Sequence, residues 1–269
     1  MSTVVRLHEA ADESMFGGKA AQLALAAAAA LPVPDGIAVP WPVADAIAAG
    51  DRDAAALLAA AAPRGGPLAV RSSAVGEDSE AVSFAGQHLT LLGVPAVGLA
   101  DAVALVSRSV RDERALAYRR RLDVVGAHRA GVVVQRMVAA SVGGVLFWPH
   151  PLTGADEIVI ESSWGLGESV VSGLVTPDRF RLSPAGEALE RHAGVKDVEV
   201  VLLPGGGTAR KTVTGERVAE LCLDEPRLAG LHRLAAACQA RFGGAQDLEW
   251  AFAGDRLWLL QRRPARKPA

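Results

Sequence analysis

The sequence predicts a mixed α+β chain built as two lobes, and three observations carry that prediction. Alanine-rich stretches with helical spacing dominate the first half. Short apolar runs separated by turn residues dominate the second half, from about residue 130 onward. The 269 residues, half of them hydrophobic and 22% charged, suffice for one large domain or two small lobes with a sizeable core. The division is expected near residues 125–130, giving an α-rich lobe over 1–128 and a β-rich lobe over 129–269.

Each element has a local reason. A helix over Gly18–Ala30 must stop at Leu31-Pro32-Val33-Pro34-Asp35-Gly36, where two prolines and a glycine forbid continuation. Ile37–Val39 reads as a short strand, followed by helices over Val43–Ala49 and Asp53–Ala62, the second capped by Asp51. Leu68–Arg71 is a buried strand, Ser72–Gly86 a polar loop and His88–Leu92 a further strand. Helical patterning then fills Ala96–Arg121. Beyond Gly126 the expected strands are Gly131–Met137, Gly144–Trp148, Glu157–Glu161, Arg179–Leu182 and Lys196–Leu203, the last ending at the turn Pro204-Gly205-Gly206-Gly207. A helix over Glu225–Phe242 precedes two final strands, Asp247–Phe252 and Arg256–Arg262.

Composition removes several function classes. With 28 Lys+Arg against 30 Asp+Glu, the chain has no basic surplus to advertise nucleic acid or an anionic membrane. Cys222 and Cys238 fit neither a disulfide framework nor a zinc site. The polar N-terminal stretch is no secretory signal, and the alanine-rich run Ala20–Pro34 is too weak to span a bilayer. The expectation is a cytoplasmic protein with neither nucleic acid nor membrane as partner. Familiar nucleotide signatures are missing: Gly18-Lys19 lacks the rest of a Walker A loop, and Gly165-Leu166-Gly167 is not completed at Val170.

What remains is a set of charged residues beside glycines and strand ends. Lys19 follows Gly17-Gly18 at a helix start, where backbone N–H groups and the helix dipole favour an anion, although a solvated surface lysine would leave the same trace. Arg71 closes a strand and leads into two serines, which suits a phosphate or an ordinary ion pair equally. The small-residue loop Ser83-Phe84-Ala85-Gly86-Gln87 could lie over phosphates or be a simple turn, and Trp164-Gly165-Leu166-Gly167-Glu168 has the make-up of a tight functional loop.

The last two strands are the most informative. Alternation puts Leu248, Trp250 and Phe252 on one face, with Trp258 and Leu260 as the apolar counterpart. Glu249, Gln261 and Arg263 then fall on the other face, where oxygen ligands suit a hard cation and a guanidinium suits phosphate. A plain two-residue turn at Gly254-Asp255 would set Glu249 on the wrong face. A three-residue connection or an equivalent bulge is therefore expected.

These segments, in this order, resemble a known family. Gly17-Gly18-Lys19-Ala20-Ala21, Leu31-Pro32-Val33-Pro34, Val70-Arg71-Ser72-Ser73-Ala74 and Ser83-Phe84-Ala85-Gly86-Gln87 come first. Val132–Val138, Gly144–Phe147 with Pro151-Leu152-Thr153-Gly154, Glu161–Glu168 and Val175-Thr176-Pro177-Asp178 follow. Asp247-Leu248-Glu249-Trp250-Ala251 and Leu260-Gln261-Arg262-Arg263-Pro264 close the series. Together they resemble the ATP-binding domain of the phosphoenolpyruvate synthase, pyruvate phosphate dikinase and rifampicin phosphotransferase family.

The resemblance implies an ATP-grasp-like fold of two lobes with the nucleotide in a cleft between them, and ATP and Mg2+ as cofactors. It implies that Lys19 and Arg71 contact phosphates and that Gln135 lies on the adenine side. Glu249 and Gln261 would hold magnesium, and Arg263 the terminal phosphates. None of His8, His88, His128, His150, His192 or His232 has the glycine- and threonine-rich setting of the family's swivelling histidine. His88 and Trp148-Pro149-His150 also depart from the residues that relatives usually carry there. The expected function is the nucleotide-binding half of a split phosphotransferase, passing a phosphoryl or pyrophosphoryl group to a histidine of a partner chain or to a small molecule. The competing readings are a non-catalytic ATP-binding regulatory module and an ATP-grasp-type ligase.

Overall fold

The computed structural model describes residues 3–75, 89–111 and 129–265. The chain divides into two units, each organised around its own antiparallel sheet. The first comprises Met1–Ala28, Pro34–Met137 and Pro204–Gly207, and the second Ala29–Val33, Val138–Leu203 and Thr208–Ala269.

The first unit contains β1 (Val5–Arg6), α1 (Glu13–Phe16), α2 (Gly18–Ala28), β2 (Gly36–Val39), α3 (Trp41–Ala48) and α4 (Arg52–Ala61). β3 (Leu68–Ala74), β4 (Thr90–Val94), α5 (Leu99–Ser109) and β5 (Ala130–Arg136) complete it. The five strands run in the order β1-β2-β5-β3-β4. One face of this sheet presents Ile37, Val39, Leu68, Val70, Val132 and Val134, all buried against apolar residues of α3, α4 and α5. Asp51 caps α4 as expected, accepting from the backbone N–H groups of Asp53 and Ala54.

The second unit contains β6 (Val142–Trp148), β7 (Ile158–Trp164), α6 (Glu168–Val171), β8 (Asp178–Leu182) and β9 (Ala188–His192). The hairpin β10 (Val198–Leu202) and β11 (Thr208–Thr212) follows, then α7 (Glu225–Phe242), β12 (Ala245–Ala253) and β13 (Arg256–Ala265). Six of these strands form a sheet in the order β13-β12-β6-β7-β8-β9. Register puts Leu146, Ile160, Phe180 and Leu248 in one transverse row, all fully buried. α7 lies against β12 on this side, with Gly230 close to Phe252 and Leu257, while Arg262 stacks 3.9 Å over Phe242. The other face mixes polar side chains, among them Glu161, Arg179, Asp247 and Glu249, with the buried Val159 and Ala251.

A buried polar knot ties β8 to two later segments. Asp178 and Lys196 form an ion pair with both side chains fully buried. Asp178 also accepts from the backbone N–H groups of Gly194 and Cys222, at 2.8 Å each. These bonds satisfy the carboxylate, which would otherwise be costly to bury. Burial pushes the Cys222 thiol up, and the Cys238 thiol up to about 11, so both act as small apolar groups.

Most elements expected from sequence are present, and the mixed α+β class is the one observed. Three differences are instructive. The division lies later than residue 128, because β5 pairs with β2 and β3 and so belongs to the first sheet. Ala29–Val33 goes the other way, to the second unit, where Pro32 accepts from the backbone N–H of Leu259. Ser72–Ala74 continue β3 rather than opening a loop. The Ser83–Gln87 loop and the expected helix beyond Arg111 lie outside the described residues.

Candidate functional site

In the first unit, the site residues share the sheet face opposite the core. Alternation along β3 places Ala69, Arg71 and Ser73 together, and register adds Val133 and Gln135 from β5. Helix α2 begins over this face. Its first-turn N–H groups have no intrahelical partner, and the backbone N–H of Ala20 donates to Ser73 Oγ at 2.9 Å. A serine from a distant strand thus does the work of an N-cap, and it holds the start of α2, which carries Lys19, against the face that carries Arg71.

Gly17 makes the approach possible. Its φ is +81°, and a Cβ there would stand 1.8 Å from the Ser73 carbonyl oxygen. Gly36 plays a similar part beside Gln135, where an added Cβ would come 2.9 Å from Gln135 Cγ. Gln135 Nε2 in turn donates to the Pro34 carbonyl at 3.4 Å. Lys19 is 4% exposed, so it is not the solvated surface lysine that sequence alone allowed, and Arg71 and Gln135 are buried as well, at 9% and 3%.

In the second unit, the site sits on the β12–β13 hairpin. The turn is the two-residue one, since Ala253 pairs with Arg256. The register then slips: Trp250 faces Leu259, but Glu249 faces Gln261, which leaves Leu260 as the extra residue of a bulge. That slip carries Glu249 and Gln261 to the same face, joined by the cross-strand pair Asp247 and Arg263. The Arg263 guanidinium lies 3.8 Å from the Glu249 carboxylate. The expected bulge is therefore present although the loop is shorter than a three-residue connection. It also corrects one detail: Leu257 and Leu259 share the face of Trp250 and Phe252, while Trp258 pairs with Ala251 on the Glu249 side.

Sequence reading missed Ser73 as a cap and Asp247 as a member of the acidic group. Asp247 was accessible to it, standing two residues before Glu249 on the same strand. Ser73 was not, because the residue that it caps lies in another part of the chain. The structure thus brings Arg71 and Gln135 to one face of the first sheet, with the start of α2 that carries Lys19 over it. It brings Glu249, Gln261 and Arg263 to one face of the second.

Among the described residues, no group of three His, Cys, Asp or Glu side chains is arranged to hold a metal ion alone. Two oxygen-bearing side chains beside an arginine instead suit a hard cation that takes its other ligands from phosphate and water. No helix among the described residues is long and apolar enough to cross a membrane.

Comparison with known proteins identifies the family. Residues 41–268 match the family described as pyruvate phosphate dikinase, AMP/ATP-binding domain. A probable phosphoenolpyruvate synthase of Methanothermobacter thermautotrophicus is 40% identical over 203 residues, covering 73% of this chain and 29% of that protein. A rifampicin phosphotransferase of Streptomyces sviceus is 39% identical over 201 residues, covering 73% of this chain and 23% of that protein. The chain thus spans roughly a quarter of the length of these relatives. Among solved structures, an L-amino acid ligase from Bacillus licheniformis overlaps with a TM-score of 0.42 at 11% identity, over 94% of this chain and 43% of the ligase. On the sequence match over most of its length, this chain belongs to the pyruvate phosphate dikinase AMP/ATP-binding domain family.

Proposed function

We propose that this chain binds ATP with magnesium and passes a phosphoryl or pyrophosphoryl group from it to an acceptor outside the described residues. The observation that carries the reading is the bulge at Leu260, which turns Glu249, Gln261 and Arg263 to one face with Asp247. Glu249 and Gln261 hold the magnesium ion, and Arg263 takes the terminal phosphate oxygens. Lys19 and Arg71 supply cationic donors to the phosphates, and Gln135 serves the adenine side. Magnesium neutralises charge on the reacting phosphates, where most of the catalysis of phosphoryl transfer lies. The side chains contribute by position: the donors are fixed by burial and register before ATP arrives, so little reorganisation is needed.

Among the described histidines, two are tied into the fold. His150 is 7% exposed, and His232 contacts the Pro184 carbonyl oxygen at 3.0 Å. His8 and His192 are exposed, His192 at the end of β9 opposite Arg179. The acceptor is a histidine of a partner chain, on a swivelling domain, or a small molecule. Cleavage at the γ position leaves ADP, and transfer of the β-phosphoryl leaves AMP.

The test is a product assay. Purified chain with ATP and magnesium should release little AMP or ADP, because water is a poor acceptor where phosphates are held and shielded. A cognate histidine domain, or a small-molecule acceptor, should stimulate release strongly. ATP binding without cleavage under any acceptor would favour the regulatory-module reading. ADP release stimulated only by a carboxylate would favour a ligase.

A further inference from the structure

The face of the second sheet that carries Glu249 has another polar contact, away from Glu249 and Gln261. Arg179 Nη2 on β8 lies 3.2 Å from His150 Nε2. The distance is that of a hydrogen bond, but the chemistry of the ring forbids one. His150 Nδ1 accepts from the backbone N–H groups of Leu152 at 3.2 Å and Thr153 at 3.3 Å. A nitrogen that accepts carries no proton, so the neutral imidazole holds its proton on Nε2. A guanidinium has donors only. Arg179 and His150 therefore face each other donor to donor.

The surroundings sharpen the point. Arg179 Nε is buried and makes no hydrogen bond among the described residues. Register sets Arg179 between Glu161 on β7 and His192 on β9, and its charge helps lower the pKa of Glu190. Arg181, on the same face, is already held by Glu157 and Glu190, which raise its pKa while it lowers that of Glu190. Burial of His150 and its two backbone bonds fix the imidazole in place.

We propose that Arg179 and His150 form a binding site for a small oxyanion, a phosphate or a carboxylate group, one oxygen of which accepts from both residues. An oxygen about 2.9 Å from each donor sits to one side of a nitrogen pair at this separation. The remaining guanidinium N–H groups take a second oxygen of the same group, in the fork geometry that suits arginine. Along the transverse row Glu249–Val145–Glu161–Arg179, three strand spacings of about 4.8 Å put this site roughly 14 Å from Glu249. It is thus distinct from the proposed magnesium position, and it stands whether or not the ATP reading is correct.

The experiment uses the full chain without nucleotide or magnesium, with inorganic phosphate and acetate as probes. Side-chain 15N signals of histidine, assigned with His150→Gln, report on Nε2 directly. Either anion should move the His150 signal saturably, and Arg179→Gln should weaken that response about tenfold or more. Phosphate acting alone marks a phosphate site, and acetate acting as well marks a site that also takes carboxylates. Arg263→Ala should leave the response in place, and Glu161→Gln should leave it unchanged or tighten it. If neither anion moves the wild-type His150 signal, the two donors are served by water and the proposal is wrong. That wild-type measurement decides the matter even if Arg179→Gln fails to fold.

Discussion

In the first unit, Lys19, Arg71 and Gln135 come from three elements and are 4%, 9% and 3% exposed. In the second, Glu249 and Arg263 come from one hairpin, and each side chain keeps 20% of its exposure. The first group is assembled by long-range contacts, the Ser73 cap and the Gly17 approach above all. The second is assembled by strand alternation and one bulge. A side-chain group made of distant segments depends on the stability of its whole unit, whereas one made within a hairpin depends mainly on register.

The largest expected effect tests whether the hairpin group is as local as this comparison says. Lys196→Ala removes one partner of the fully buried ion pair and leaves Asp178 uncompensated. Losses of this kind cost about 3–5 kcal/mol, so the melting temperature should fall sharply. The enhancement of ATP binding by magnesium in the protein that remains folded should be unchanged. Loss of that enhancement, at a temperature where circular dichroism still shows native structure, would mean that the hairpin group is not local.

A smaller effect tests the first unit. Gly17→Ala forces a positive φ on alanine and drives a methyl group into the Ser73 carbonyl. Overpacking of this kind costs roughly 1–3 kcal/mol, and the start of α2 must move to relieve it. Stability and ATP affinity should therefore drop together, because Lys19 moves with the helix. A variant that is destabilised in urea titration yet binds ATP with full affinity would uncouple Lys19 from the Ser73 corner.

The same contrast explains what could be read from sequence. The hairpin group was legible because alternation has a period of two and the bulge requirement follows from counting residues. The length of the turn was not, since a bulge further along the strand compensates for a shorter loop. In the first unit, alternation marks a strand at Leu68–Arg71, but no local pattern says which helix lies over it. β5 shows why the boundary shifted: an apolar run such as Gly131–Met137 announces a buried strand without naming its neighbours. A helix start and a strand end marked Lys19 and Arg71, with a surface lysine and an ion pair as the open alternatives until the family resemblance, and the Arg179–His150 contact left no sequence trace at all.

The central claim is that the hairpin group serves magnesium and the first-sheet group serves phosphate. Calorimetric titration of ATP, with and without magnesium, into wild type, Glu249→Ala and Lys19→Ala tests it most directly. Wild type should bind more tightly with magnesium. Glu249→Ala should lose most of that gain while keeping its magnesium-free affinity. Lys19→Ala should be weaker in both conditions by about tenfold or more, as expected for a lost charge-assisted bond. Full magnesium enhancement in Glu249→Ala, or unchanged affinity in Lys19→Ala, would contradict the account.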